Sequence, residues 1–210
     1  MFVLPPNPDV HVSDSETVWN GRFPLERIRF RNRRFDGEMS GLRTWELWRR
    51  GRAAAFLPYD PVSDTVVLIE QFRLPALAAG MEPVLTELPA GLCDAGETPE
   101  VTIRREALEE IGIAPGRMRH IGDFLLTPGG SDENCALFVG EIVAPAAGSD
   151  GIIGISGLRN EEEDIRARLW PVARATEAAL DGEIANSVAA IALLWMAARR
   201  GQLRREWGFA

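Results

Sequence analysis

One segment of the 210-residue chain, residues 91–113 (GLCDAGETPEVTIRREALEEIGI), restricts the fold more than any other. Thr98 has the side chain of a helix N-cap, and Pro99 suits the first helical position because its missing N–H needs no partner there. Gly112 predicts the end of the same helix. The segment therefore predicts a helix over residues 99–111, preceded by a glycine-containing loop.

Three carboxylates share one face of this predicted helix. Glu106, Glu109 and Glu110 stand at spacings i, i+3 and i+4, where like charges repel by about 0.2–0.5 kcal/mol per pair. Ligands that are all oxygens suit a hard divalent cation such as Mg²⁺ or Mn²⁺, whereas zinc prefers histidine or cysteine. Arg105 can orient one carboxylate by a bidentate contact. A solvated acidic face is the alternative that the three glutamates alone leave open.

The whole segment follows the pattern Gly-x5-Glu-x7-Arg-Glu-U-x-Glu-Glu-x-Gly-U, in which U is aliphatic. Its seven fixed positions would match by chance in about 10⁻⁹ of start sites. The positions are Gly91, Glu97, Arg105, Glu106, Glu109, Glu110 and Gly112, with Ala107 and Ile113 at U. The segment resembles the Nudix box of the Nudix hydrolases. Ala107 is smaller than the usual aliphatic residue, which affects packing and not chemistry.

The resemblance extends over about residues 42–200 and is to the ADP-ribose pyrophosphatase branch of the family. Pro128 stands 16 residues after Gly112, where this branch has a proline. The supporting segments are VVLIEQFR (66–73), TELPAG (86–91), TPGGSDE (127–133) and GLRNEEEDIRAR (157–168).

Strands on both sides of one mid-chain helix, with helices near the end, favour an α+β protein. The resemblance implies a Nudix α/β/α sandwich around a mixed sheet, with residues 51–210 as the Nudix hydrolase domain and 1–50 as a β-rich dimerisation and substrate-contact segment. The first 20 residues are expected to be a loose strap. Further helices are predicted at 176–181 and 187–200, and strands at 25–35, 42–50, 53–58, 65–72, 84–88, 118–126, 135–143 and 165–171.

The resemblance also implies the metal ligands. In the family, box glutamates and the backbone carbonyl before the box glycine bind Mg²⁺. The resemblance therefore implies Glu106, Glu110 and the carbonyl of Ala90 as metal ligands in this chain, with Glu109 assisting. Glu97 is expected to pair with Arg105.

A loop glutamate positions the attacking water in this branch, and the acidic run at 161–164 lies in the matching region. Glu161 best matches the base and Glu163 an additional metal ligand, in a register that could shift to Glu162. A solvated acidic loop is the alternative for each. The four glycines of residues 148–157 suit a mobile lid.

Four residues outside the box are candidates for substrate contacts. Arg73, at a strand end, could clamp a phosphate, although a surface arginine is the alternative. Glu133 could accept a hydrogen bond from a ribose hydroxyl or be a plain loop acid. Trp45 and Glu46 match a region that in the family's dimers reaches the partner's site, where the ring stacks on adenine, but a tryptophan in a strand is more often core.

Residues 21–50 support a homodimer, because a two-stranded hairpin must dock its apolar side on something. Asp36-Gly37 predicts the hairpin turn. Ile28 and Phe30 would lie on one face, with arginines on the other, and Trp45, Leu47 and Trp48 add aromatic and aliphatic area.

The net charge and composition bear on the partners and the cellular location of the protein. A formal net charge of −8 disfavours nucleic acid as a partner, since phosphate binding needs a basic surface. Two cysteines and no signal-peptide pattern indicate a cytoplasmic protein, and the 11-residue apolar run at 188–198 is too short to span a membrane.

We therefore expect Mg²⁺-dependent hydrolysis of ADP-ribose to AMP and ribose 5-phosphate, with Mn²⁺ as a substitute metal. Another nucleoside diphosphate-sugar or dinucleotide, such as a GDP-sugar or NADH, is the alternative substrate. A non-catalytic ADP-ribose sensor is the alternative from another class.

Overall fold

The computed structural model describes residues 4–157 and 162–209 and contains two compact units. Unit 1 comprises Met1–Gly51 and Leu125–Glu133, and unit 2 comprises Arg52–Phe124 and Asn134–Ala210. The first break adjoins the boundary predicted after residue 50, but no pattern in the sequence indicates that 125–133 belongs with the N-terminal unit. Within the described part of the chain, no helix is both long and apolar enough to cross a bilayer.

Unit 1 is built on a three-stranded antiparallel sheet in the order β1-β2-β3. The strands are β1 (Val10–Trp19), β2 (Leu25–Asn32) and β3 (Arg43–Trp48). The predicted β2–β3 hairpin is present, and Gly37 in its connection has φ of 88°, a conformation that glycine adopts without strain.

The loose strap expected for the first 20 residues is wrong over β1. This strand is exposed along nearly its whole length and has no apolar alternation that could reveal it. Pairing with β2 supplies its backbone hydrogen bonds, and an Arg27–Glu16 ion pair at 2.6 Å adds a cross-strand contact.

Unit 2 is an α+β layer structure around a mixed sheet with the strand order β10-β11-β5-β4-β9-β8. β4 and β9 pair in parallel, whereas β5 pairs antiparallel with β11. The strands are β4 (Arg52–Asp60), β5 (Thr65–Phe72), β6 (Val84–Glu87), β7 (Ala90–Leu92), β8 (Met118–Leu125), β9 (Asn134–Glu141), β10 (Ile152–Ser156) and β11 (Ile165–Pro171). The helices are α1 (Leu74–Ala78), α2 (Pro99–Glu110), α3 (Val172–Leu180) and α4 (Ser187–Glu206).

Helices cover both faces of this sheet. Ala54 and Phe56 of β4 pack in one core cluster with Ile103 and Ala107 of α2. Tyr59, whose position in the alternation is opposite, stacks on Trp207 just after α4, with ring centroids 6.2 Å apart. The α/β/α sandwich implied by the resemblance is therefore present.

The two central strands, β4 and β5, separate towards one end of the sheet. β4 and β5 pair at Tyr59–Val66 and Asp60–Thr65, but towards the other end β6 pairs with β5 and β7 pairs with β4. The β6–β7 segment therefore occupies the gap between the two central strands. This insertion brings the TELPAG residues beside α2.

The three predicted helices are present, and those with capping residues begin where predicted. Thr98 caps α2 by accepting from the N–H of Val101 at 3.4 Å, and Gly112 follows the helix with φ of 68°. By contrast, α1 was missed, α3 begins four residues early and α4 runs six residues beyond the prediction. Within the segment expected to be a mobile lid, residues 152–156 form β10 and pair with β11.

Candidate active site

Glu110 is a buried carboxyl group at the end of α2. The residue is 4% exposed, and its Oε2 accepts a hydrogen bond from the backbone N–H of Ala90 at 3.0 Å. Burial raises the pKa of Glu110 to about 9, with a further upward contribution from the charge of Glu106. The side chain is thus held at the start of β7, where the Ala90 N–H and Arg73 compensate its negative charge only in part.

Glu106 lies against the box glycine. A Cβ atom on Gly91 would be 1.7 Å from Oε1 of Glu106, so any side chain at position 91 would displace the carboxylate. The glycine is therefore required by close approach, because its φ is not in the left-handed region. Burial raises the pKa of Glu106, and the neighbouring Arg105 opposes that rise.

Arg105 holds the box acids together. Its Nη1 donates to Glu106 at 2.7 Å and to Glu109 at 3.1 Å, while Nη2 donates to the carbonyl of Leu92 at 3.2 Å. Nη2 also pairs with Glu97 at 3.3 Å, so the ion pair implied by the resemblance is present. Its hydrogen bond with Arg105 is the main reason that the pKa of Glu97 falls to about 2. The arginine thus orients three carboxylates at once.

Arg73 stands at the same end of the sheet. Its guanidinium is held by Glu87 of β6, with Nη2 2.7 Å and Nε 3.1 Å from the carboxylate. Burial lowers the pKa of Arg73, but Glu87, Glu110 and Glu163 raise it more. Glu87, for which the sequence predicted no role, is 5% exposed and anchors this arginine.

Glu163 lies near this group, whereas Glu161, the predicted base, lies outside the described residues. The charge of Glu163 contributes to raising the pKa of Glu106, Glu110 and Arg73, after the larger effects of burial and nearer groups. A residue 53 positions from Glu110 therefore shares its electrostatic environment.

Trp45 and Glu46 line a cavity of about 520 Å³ within unit 1, together with Leu25, Thr44, Gly129 and Gly130. Trp45 is 45% exposed, so the core alternative is wrong for this tryptophan in the described chain. Its ring meets Phe30 edge-on at 5.5 Å, and the guanidinium of Arg43 lies 4.9 Å from it. The ring is thus fixed at its edge while part of its surface stays accessible.

Glu133 also belongs to unit 1, where it pairs with Arg50. Nε and Nη2 of Arg50 each lie 3.2 Å from a carboxylate oxygen, a bidentate contact. The same guanidinium lies 4.2 Å from the ring centroid of Phe23 and 4.8 Å from that of Trp48. Sequence reasoning missed Arg50, although a basic residue within an aromatic segment was a usable signal.

The donor set on α2 and β7 fits a hard divalent cation. Glu106 and Glu110 offer oxygens at the Ala90–Gly91 backbone, and the raised pKa of both carboxyls shows that added positive charge would be favourable there. Within residues 4–157 and 162–209, no three acidic, histidine or cysteine side chains already surround one point. Glu106 is instead ion-paired with Arg105.

An α/β/α sandwich whose carboxylate-bearing helix packs against a glycine of strand β7 defines the class of this protein. The NUDIX domain matches residues 49–190, so the chain belongs to the Nudix family. It is a Nudix hydrolase, in a family that generally uses divalent metal ions.

Relatives that are named as pyrophosphatases align with most of the chain. The ADP-ribose pyrophosphatase of Escherichia coli (strain K12) is 41% identical over 199 residues, which are 95% of this chain and 93% of that protein. That of Haemophilus influenzae is 36% identical over 202 residues, 95% and 91% of the two chains. The GDP-mannose pyrophosphatase of Salmonella arizonae is 38% identical over 152 residues, 72% and 76%. A solved ADP compounds hydrolase, 19% identical, shares the fold with a TM-score of 0.66 over 99% of this chain and 100% of that one.

Proposed function

We propose that this Nudix hydrolase splits the pyrophosphate bond of ADP-ribose to give AMP and ribose 5-phosphate in a Mg²⁺-dependent reaction. The observation that carries the proposal is the convergence of Glu106 and Glu110 on the Ala90–Gly91 backbone, with Glu163 and Arg73 in the same electrostatic environment. The choice of ADP-ribose rests on the pyrophosphatases that align over 95% of the chain.

Glu106, Glu110 and the carbonyl of Ala90 would hold the metal, with Glu109 and Glu163 as further ligands. Bound Mg²⁺ would neutralise the diphosphate and lower the pKa of an attacking water. The protein prepares this site by orienting its own groups: the Ala90 N–H holds Glu110, as described above.

Arg73 and the loop acids supply the remaining chemistry. Because Glu87 holds its guanidinium in place, Arg73 presents a positive charge to the diphosphate without having to be ordered on binding. Glu161 is proposed to accept the proton of the attacking water and Glu163 to bind metal, with Glu162 the alternative base. A carboxylate in this role gives a rate that rises with pH until the base is ionised.

Unit 1 is proposed to form a homodimer, in which its Trp45 region completes the adenosine site of the partner subunit. The cavity beside Trp45 has an accessible aromatic face for stacking, and Glu46 on its lining offers oxygens to hydroxyl or amino groups. Glu133, whose carboxylate is paired with Arg50, is proposed as a further acceptor for the substrate. Several large apolar side chains of the unit are exposed, including Trp19 at 66% and Leu42 at 54%. Burial of this area against a second copy would be favourable.

A GDP-sugar is the second candidate substrate, because the GDP-mannose pyrophosphatase is 38% identical over 72% of the chain. The shared site explains cleavage of either pyrophosphate, so specificity must be measured.

Chromatographic product analysis tests the proposal. Purified protein with Mg²⁺ is incubated with ADP-ribose, GDP-mannose and NADH, and kcat/KM is measured for each. We expect the highest value for ADP-ribose, with AMP and ribose 5-phosphate in equal amounts. A higher value for GDP-mannose or NADH would replace the substrate, and ADP plus free ribose would refute cleavage at the pyrophosphate.

A further inference from the structure

Gln71, near the end of β5, has a buried amide oxygen that no described residue satisfies. Its Oε1 is excluded from solvent and accepts no hydrogen bond within residues 4–157 and 162–209. A buried polar atom left without a partner costs about 1–3 kcal/mol. Such atoms are uncommon in folded proteins and call for an explanation.

The strand register places Gln71 on the catalytic face of the sheet. Gln71 is opposite Ile165 on β11 and opposite Leu85 on β6. Ile69, two residues earlier on the same face, packs in the core cluster that contains Ile103 of α2. Gln71 therefore continues this face beyond the apolar core, towards the sheet end that carries the site.

The neighbours of Gln71 belong to the proposed site. Arg73 follows two residues later, and Glu163 precedes the opposing Ile165 by two residues. Both influence Glu110 electrostatically. Gln71 therefore stands at the same strand ends as two residues already placed in the proposed reaction.

The partner of Gln71 Oε1 must be a hydrogen-bond donor, because an amide oxygen only accepts. The diphosphate and the ionised carboxylates have no proton to give, and Arg73 donates to Glu87 and not to Gln71. A neutral amide accepts a hydrogen bond without adding negative charge to a site that already holds four glutamates. An O–H group of the reacting complex meets these conditions.

We propose that Gln71 is a further residue of the active site: its partly exposed side chain turns when substrate binds, and Oε1 then accepts a hydrogen bond from an O–H group of the reacting complex. Two sources fit: the attacking water, or a hydroxyl of the sugar distal to the adenosine. The inference rests on the proposed pyrophosphate hydrolysis and adds a residue that the Nudix box does not contain.

Gln71→Met tests the role because methionine keeps the length and flexibility of the side chain but cannot replace the amide acceptor. Melting temperature is measured without ligand, and kcat and KM are measured on the full chain with ADP-ribose. We expect kcat/KM to fall tenfold or more while the melting temperature stays equal or rises, since an unsatisfied buried atom has been removed. Thr65→Val, a polar-to-apolar change at the opposite end of β5, should leave kcat and KM within twofold.

The kinetic constants distinguish the two sources. Loss of a contact to the attacking water lowers kcat with KM nearly unchanged, whereas loss of a sugar hydroxyl contact present in the bound substrate raises KM. Either result supports the proposal. Values of kcat and KM within twofold of wild type, or a melting temperature lower by several degrees, would overturn it. If the wild type cleaves another nucleoside diphosphate-sugar, the substrate assignment fails and the same comparison is made with that compound.

Discussion

Replacing Glu110 by glutamine is expected to stabilise the metal-free protein while removing its response to Mg²⁺. The carboxyl group is 4% exposed, and burial raises its pKa from 4.5 to about 9. A raised carboxyl pKa means that the folded state binds the proton more tightly than the unfolded state. The stability that the protonated Glu110 contributes to the fold is fully present below pH 4.5 and is lost as the pH rises towards 9.

At pH 7 the size of this loss follows from the 2.5 pH units above the ordinary pKa of 4.5. At 1.36 kcal/mol per unit, the loss is about 3 kcal/mol. Glutamine does not ionise, and its amide oxygen can still accept from the Ala90 N–H. In a chain of this size, about 3 kcal/mol corresponds to a rise in Tm of about 6–12 °C.

Differential scanning calorimetry in EDTA measures this effect. The difference in stability between Glu110→Gln and wild type should be about 3 kcal/mol at pH 7 and below about 1 kcal/mol at pH 5. Addition of Mg²⁺ should raise the Tm of the wild type and leave that of the variant unchanged. Glu100→Gln, at an exposed position on the same helix, should show neither change. A Tm of Glu110→Gln below that of wild type in EDTA at pH 7 would refute the reasoning.

The other predictions concern activity and assembly. Glu110→Gln should lower kcat by about 10³-fold or more, and EDTA should abolish wild-type activity until Mg²⁺ or Mn²⁺ is added; retention of a tenth of the activity at saturating Mg²⁺ would contradict the metal assignment. Glu161→Gln should lower kcat at an unchanged Mg²⁺ requirement, whereas Glu163→Gln should also raise that requirement; full activity of both would place the base elsewhere. Deletion of residues 1–48 should give a monomer by sedimentation with KM for ADP-ribose raised about tenfold, equivalent to about 1.4 kcal/mol, and a full-length monomer with normal activity would refute this. Trp45→Ala should raise KM while leaving the dimer intact, and an unchanged KM would remove the ring from the substrate site.

Elements with strong local signals were predictable, and those that depend on pairing were not. α2 was located because Thr98, Pro99 and Gly112 each act on the backbone next to them. β1 was missed because its polar residues carry no alternation, and its strand conformation depends on hydrogen bonds to β2. The same limit applies to 125–133, whose place in unit 1 depends on contacts distant in the chain.

The candidate site was likewise predictable from the sequence only in part. The spacing of Glu106, Glu109 and Glu110 determined a shared carboxylate face, because a helix turns by a constant angle per residue, and the composition of that face determined the kind of cation that suits it. Only the tertiary structure decided that Glu106 lies on Gly91, that Glu87 holds Arg73, and that Gln71 is left without a donor. These contacts arise where β6 and β7 enter the gap between β4 and β5, and the strand pairing that opens this gap depends on long-range hydrogen bonds that no local pattern encodes.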